Sequence, residues 1–204
     1  MVHDRPFTVS LSSGYNHVAV RSTNHYKYYS QTYPQALTLS YALTDWYRLS
    51  FSQKMAFANY KSKGRIAEIS SKQGAAYTSS VTNTFYLDKQ KRVSFQIGYD
   101  YRRDDVEGSN ASKFAHSARS AYNFPVWHDW TGSANFKYKY TEYPHSNLPV
   151  KRWDEEYTAG VYLTIPLGPQ WELSPSYSFT NNLSKDDANT YLNHAAGASL
   201  SYSF

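Results

Sequence analysis

The chain has 204 residues, of which 41% are hydrophobic and 18% aromatic, with 21 Tyr, 10 Phe, 5 Trp and no cysteine. Mean hydropathy is -0.68, no run of about 18 apolar residues exists to make a spanning helix, and the lack of cysteine excludes disulfides and thiolate metal sites. A formal net charge of +5 calls for anionic neighbours, and the phosphates of a lipid surface supply them without invoking nucleic acid.

Period-two alternation recurs along the whole chain, the signature of strands with one apolar and one polar face. Ten segments carry it. The first runs from about Pro6 to Val20, with Phe7, Val9, Leu11 and Tyr15 sharing a face. The second, Pro34 to Leu43, aligns Leu37, Leu39, Tyr41 and Leu43, and the third, Trp46 to Tyr60, aligns Tyr47, Leu49, Phe51, Met55 and Phe57. Gln73 to Leu87 and Arg92 to Tyr101 follow, the latter with Val93, Phe95, Ile97, Tyr99 and Tyr101 on one side. Parity then switches to even numbers in Phe114 to Phe124 and in Trp130 to Tyr140, where Phe136, Tyr138 and Tyr140 agree. The eighth segment holds Tyr157, Val161, Leu163 and Ile165, and the ninth Trp171, Leu173, Tyr177 and Phe179. The tenth, Leu192 to Phe204, opposes Leu192, His194, Ala196, Ala198, Leu200, Tyr202 and Phe204 to Asn193, Ala195, Gly197 and three serines.

Connections alternate in length. Short turns are expected at Thr44-Asp45, Asp88 to Lys91, Pro125 to Asp129 and Pro166 to Pro169. Longer polar loops are expected at about Ser22 to Tyr33, Lys61 to Lys72, Arg102 to Lys113, Thr141 to Trp153 and Asn181 to Thr190. Short turns on one side and long loops on the other are the asymmetry of a transmembrane barrel, and averaging over lipid-facing and lumen-facing residues conceals such strands from a hydropathy window. The expected fold is therefore all-β, a transmembrane antiparallel up-and-down β-barrel of about ten strands with both termini periplasmic, forming a single domain over residues 1–204. In that fold the last strand pairs with the segment beginning near Phe7 to remove both sheet edges. Aromatic girdles should lie at both ends: Trp46, Tyr47, Trp127, Trp130 and Trp171 near the short turns, and Tyr99, Tyr101, Tyr138, Tyr140, Tyr157 and Tyr177 near the loops. A soluble sandwich also alternates, but its exposed face would carry Lys and Glu rather than Ser, Thr, Ala and Gly.

Inward positions are dominated by small residues such as Ser10, Ser40, Ser52, Thr82 and Gly98. The pore-lining candidates among them are Arg48, Lys54, Arg92, Gln96, Asp100, Arg119, Asn135, Lys137, Lys139, Glu156 and Glu172. Cations outnumber anions there, which favours anionic solutes in an open pore; alternatively Arg48, Arg92 and Glu172 neutralise one another near the short-turn end. Lys61, Lys63, Arg65, Lys72, Arg102, Arg103, Lys151 and Arg152 are expected in the loops, facing lipopolysaccharide phosphates. Met1-Val2-His3-Asp4-Arg5 leads at once into strand-like sequence, so the chain begins either at a mature terminus or within a longer polypeptide.

The terminal Leu200-Ser201-Tyr202-Ser203-Phe204 resembles the signal that small Gram-negative outer-membrane barrels present to the barrel-assembly machinery. The implied assembly residues are Leu200, Tyr202 and Phe204, and the implied location is the bacterial outer membrane. Arg152-Trp153-Asp154, Tyr157, Tyr177-Ser178-Phe179, Asn181-Asn182 and Ser184 are similar to sequence in C-terminal barrels of exopolysaccharide-export porins and surface-lipoprotein assembly modifiers, which generally have more than ten strands. That resemblance implies a passage for an exported chain and a preceding periplasmic domain or partner.

Two functions are open on this reading: a narrow passage for small polar or anionic solutes or an exported chain, and a closed barrel whose loops act as adhesin, scaffold or anchor. No enzyme is expected. Asp104-Asp105 and Asp186-Asp187 are adjacent acidic pairs, but no Asp-x-His accompanies them, and adjacent residues in a strand point to opposite faces. The seven His show no metal-ligand spacing, so neither a metal nor a cofactor is expected.

Overall fold

A computed structural model describes residues 6–21, 27–63, 73–106, 112–144 and 151–203. The strands are β1 (Phe7–Ser13), β2 (Asn16–Arg21), β3 (Lys27–Ala42), β4 (Tyr47–Lys63), β5 (Gln73–Tyr86) and β6 (Ser94–Val106). They continue as β7 (Lys113–Trp127), β8 (Trp130–Tyr143), β9 (Arg152–Pro166), β10 (Trp171–Ser184) and β11 (Tyr191–Tyr202), with a 3-10 turn, η1 (Asp187–Asn189), before the last. All join one antiparallel sheet in the order β1-β3-β4-β5-β6-β7-β8-β9-β10-β11, with β2 also on β3.

β1 and β2 are two halves of one strand. Ser13 lies opposite Gln35 and Asn16 opposite Thr32, so the register is the same on both sides of the gap. Pro34 stands across from the interruption and has no N–H to give to the ladder, while its carbonyl still accepts from the Gly14 N–H at 2.9 Å. Ten up-and-down strands result, as the alternation requires.

The sheet is inside out by soluble standards. Among the described residues the only buried hydrophobic is Ala115, 3% exposed, and no large side chain is fully buried. Val9, Leu11, Phe51, Val81, Ile97, Phe136 and Val161 instead lie open. No second layer covers that face, which rules out a sandwich core; with lipid as its solvent the face needs no cover. Aromatic rings close the band at both ends. Toward the short turns, Trp46 stacks on Phe85 at 6.3 Å, Trp127 meets Trp130 edge-on at 5.6 Å, and Trp171 packs on Tyr202 at 4.8 Å. Toward the long loops, Tyr138 packs on Tyr157 at 5.1 Å and Tyr140 on Trp153 at 6.3 Å. Along β8 the separation from Trp130 to Tyr140 is about 25 Å for strands tilted by about 40°, the height of the apolar band in such barrels.

Two features depart from expectation. Strands continue into segments expected as loops: β6 runs on through Arg102 to Val106, β9 starts at Arg152 within the loop expected to reach Trp153, and β10 extends to Ser184. Above the bilayer both faces of a strand are wet, so the pleat persists without a hydrophobic period to reveal it. At the opposite end the connections are tight, and the two-residue link between β7 and β8 places His128 at a positive φ of 49°. The second departure is the seam. Among the described residues β1 and β11 do not pair, and every residue of both strands is exposed. Leu200 and Tyr202 lie on β11; Phe204 falls outside the described residues, as do Arg65, Lys72 and His145.

Candidate functional site

Inward side chains meet in rows set by strand register. One row runs Ser40, Ser50, Thr82, Gly98, Arg119, Lys137, Thr158, Thr180. The next toward the loops runs Thr38, Ser52, Ser80, Asp100, Ser117, Lys139, Glu156, Asn182. Both cross from a neutral arc on β3–β5 to a charged arc on β6–β9.

The neutral arc is held by hydroxyls: Thr38 donates to Ser52 at 3.1 Å, and Ser40 and Ser50 share a hydrogen bond of 2.8 Å. Above it, the short side chains of Ala36, Ala56 and Ala76 leave a cavity of about 360 Å³ that also reaches Gly14, Lys54 and Arg102. Lys54 projects into it, and no carboxylate approaches its ammonium among the described residues.

The charged arc is cross-linked. Arg119 donates Nε–H to Asp100 at 3.1 Å and an Nη–H to Thr82 at 2.8 Å, so one side chain ties β5, β6 and β7. It can lie flat because Gly98 beneath it has no side chain; a Cβ there would sit 3.1 Å from the guanidinium carbon. Lys139 pairs with Glu156 at 3.6 Å. Lys137, directly opposite Arg119, meets no carboxylate among the described residues. Gln96 and Asn135 line a small cavity of about 140 Å³ beside Gly98 and Arg119.

The long-loop rim holds a second network. Asp104 is 7% exposed and Asp154 8%. Asp104 accepts from Arg102 at 2.6 Å and lies 3.5 Å from Lys113. Asp154 takes a bidentate bond from Arg152, the geometry that gives a guanidinium its greatest hold on a carboxylate, and a third from the Ser184 hydroxyl. Arg152 also lies over the Tyr143 ring at 4.3 Å. Asp105 points to the other face, where it binds Arg103 at 2.8 Å, so the adjacent acids of β6 cannot act together.

Several expected placements need correction. Arg92 lies in the turn before β6, 3.8 Å from Asp88, because the strand begins at Ser94. Arg48 stacks over Tyr86 at 5.8 Å and Glu172 accepts from Ser174; with Arg92, these three form no network. Arg102 and Arg152, expected among loop residues at the membrane surface, are strand residues held in the lumen by the aspartates two positions along. Lys113, Tyr143 and the lumen-side Tyr86 and Tyr162 were not singled out from the sequence, and Asp104 was weighed only as half of an adjacent acidic pair. The only signal that Asp104, Lys113 and Tyr143 face the lumen was parity carried beyond the apolar run.

No protein-family model matches the sequence, and no curated protein does. Solved structures do. The COG4313 outer membrane channel from Pseudomonas putida F1 superposes with a TM-score of 0.56 at 13% identity over 96% of this chain and 79% of that one. A loop L8 deletion mutant of OmpT, an outer membrane protein of Vibrio cholerae, gives 0.62 at 10% identity over 96% of this chain and 62% of its own, so the present chain spans less than two thirds of that protein. The β domain of the Bordetella autotransporter BrkA gives 0.50 at 13% identity over 98% and 84%. This chain has the fold of a bacterial outer-membrane β-barrel. Its apolar outer face and paired aromatic belts place it in that membrane. Within the barrel wall, Arg152, Asp154 and Ser184, on which the weaker sequence resemblance partly rests, come together as one hydrogen-bonded rim group. The lipid-facing side carries two like pairs, Tyr99 with His116 Nδ1 at 2.6 Å and Tyr177 with His194 Nδ1 at 2.7 Å. His194 thus belongs to the aromatic belt, away from the lumen.

Proposed function

We propose that this barrel forms a narrow outer-membrane passage for small polar solutes that favours anions. One observation carries the reading. Asp100, Asp104, Asp154 and Glu156 each sit in an ion pair with a lumen cation, whereas Lys54 and Lys137 have no carboxylate partner among the described residues. The uncompensated lumen charge is therefore positive at two levels of the wall, and a low-dielectric wall focuses such a field on the aqueous path. The likeness in fold to a named outer membrane channel supports the same reading. An exported anionic chain would use the same two lysines as successive contacts. Lipopolysaccharide phosphates are the proposed outer-leaflet partner of the outward Arg103 and Lys185, and the barrel-assembly machinery that of β11 during insertion.

Reversal potentials in planar bilayers under a salt gradient test this. Wild-type protein should pass stable stepwise currents with anion preference, and Lys54→Glu combined with Lys137→Glu should move the preference toward cations. Silence from well-folded protein overturns the passage. It would then favour a closed display scaffold, for which the built β10–β11 connection speaks: Asp186 accepts from Ala188 and Asn189, Asn182 donates to the Asn189 carbonyl, and the Lys185 N–H donates to the Trp153 carbonyl at 3.1 Å.

A further inference from the structure

The inward chemistry of β3–β5 changes partway along the wall. Two successive rows are hydroxylic throughout, Ser40, Ser50 and Thr82 in one and Thr38, Ser52 and Ser80 in the next. The three rows beyond them toward the loops read Ala36, Lys54 and Thr78, then Pro34, Ala56 and Ala76, then Thr32, Ala58 and Gly74. Apolar surface facing water is unfavourable, so a wall that only passes water and small ions has no use for such a patch. The cavity of about 360 Å³ lies over it, and a second of about 170 Å³ continues toward the loops, sharing Ala56, Ala76 and Arg102. Charge enters at one end. Lys54 lies in the cavity's lowest row, opposite Thr78, and has no carboxylate partner among the described residues. Arg102, across from Thr78 on the other side, is held by Asp104, and Asp104 is itself paired twice, with Arg102 and with Lys113. The cavity therefore presents a hydrocarbon bed with one uncompensated ammonium at its short-turn end.

We propose that this cavity binds small organic carboxylates, molecules with one carboxylate on a compact hydrocarbon body, and that these are the anions favoured by the passage proposed above, on which the inference rests. The carboxylate meets the Lys54 ammonium, and the Thr78 hydroxyl beside it can donate to a second oxygen. The body lies on Pro34, Ala36, Ala56 and Ala76 and displaces water from them. Size agrees: at about 30 Å³ per water the cavity holds the equivalent of a dozen waters, space that a carboxylate with roughly six to ten carbons fills. An inorganic anion would use Lys54 and leave the apolar bed bare. A sugar acid would set its hydroxyls against alanine and proline side chains that offer them no hydrogen bond, at the cost of their hydration.

The placement suits transit as well as binding. Lys54 is exposed to the lumen, and Lys137 lies two rows further toward the short turns, in the row of Ser40 and Ser50. A solute released from the cavity thus meets a second uncompensated cation. Conduction requires sites that hold a solute weakly enough to let it go, so affinity on the order of millimolar is expected.

Saturation-transfer NMR on the folded protein in micelles, with protein-free micelles as the blank, tests the site without requiring conduction. Cyclohexanecarboxylate should bind saturably and about tenfold more tightly than acetate, and glucuronate, equal in charge and similar in size, no better than acetate. Lys54→Gln should weaken cyclohexanecarboxylate about tenfold. Ala56→Ser combined with Ala76→Ser, which extends the hydroxyl lining of the neighbouring rows, should weaken cyclohexanecarboxylate about threefold more than acetate, a selective loss that misfolding cannot produce. Equal affinity for acetate and cyclohexanecarboxylate overturns the inference in favour of a site that reads charge alone. Glucuronate binding as tightly as cyclohexanecarboxylate overturns it in favour of a sugar acid, and undiminished binding in Lys54→Gln, or no saturable binding at all, overturns it outright. Planar-bilayer currents decide the passage separately. Binding as expected in a silent barrel upholds the site and overturns the passage, whereas anion-selective currents without binding overturn the site and uphold the passage.

Discussion

The two arcs of the lumen wall achieve order by different means. On β3–β5, hydroxyl pairs such as Ser40 with Ser50 bridge neighbouring strands and alanines leave space. On β6–β9, ion pairs spanning two or three strands fill the interior, with Arg119 reaching both Asp100 and Thr82. Small neutral residues cost little to place beside water and keep a path open; a paired charge network stiffens the wall, but each member depends on its partners. The difference teaches that one arc of the wall leaves space while the other is stiffened by paired charge, and the two lysines of the proposed passage, Lys54 and Lys137, fall one on each.

Substitutions can break that comparison. The largest effect is expected for Asp154→Ala, which strands Arg152 and the Ser184 hydroxyl at the rim; unfolding in lipid vesicles should lose about 3 kcal/mol, read from urea midpoints. Arg119→Ala should cost about 1.5 kcal/mol, discounted for a side chain that is 38% exposed, and should raise single-channel conductance by clearing the lumen. Gly98→Ala acts on the same contact from below. With a Cβ 3.1 Å from the guanidinium, it should displace Arg119 and cost about 1 kcal/mol, and the double variant with Arg119→Ala should cost less than the sum. Ser50→Ala on the neutral arc should cost only about 0.5 kcal/mol. If it matched Asp154→Ala, the distinction between arcs would fail. Lys54→Ala should leave the urea midpoint unmoved within about 0.5 kcal/mol while lowering anion preference, separating a conducting role from a structural one.

Much of this architecture was legible beforehand, for a local reason. Residues such as Leu37, Leu39 and Tyr41 alternate with Thr38 and Ser40 because lipid and water select side chains residue by residue, and the hairpin order followed from turn spacing alone. The rim was less legible. Arg102, Asp104 and Arg152 sit on strand extensions with water on both sides, where alternation carries no hydrophobic contrast, so they read as loop charges. The grouping of Arg48, Arg92 and Glu172 failed for a related reason: nearness to the short-turn end does not put side chains on neighbouring strands, and each took a local partner, Tyr86, Asp88 or Ser174.

By itself, the sequence determined the number of strands in this chain, which face of each meets lipid, and which end carries the short turns, since all three depend on contrasts between adjacent residues. Only the tertiary structure decided which lumen charges are neutralised, where the cavity beside Lys54 opens, and that β1 and β11 do not pair among the described residues. Those outcomes depend on register between strands and on the curvature of the whole sheet, and neither is written in the alternation of any single strand.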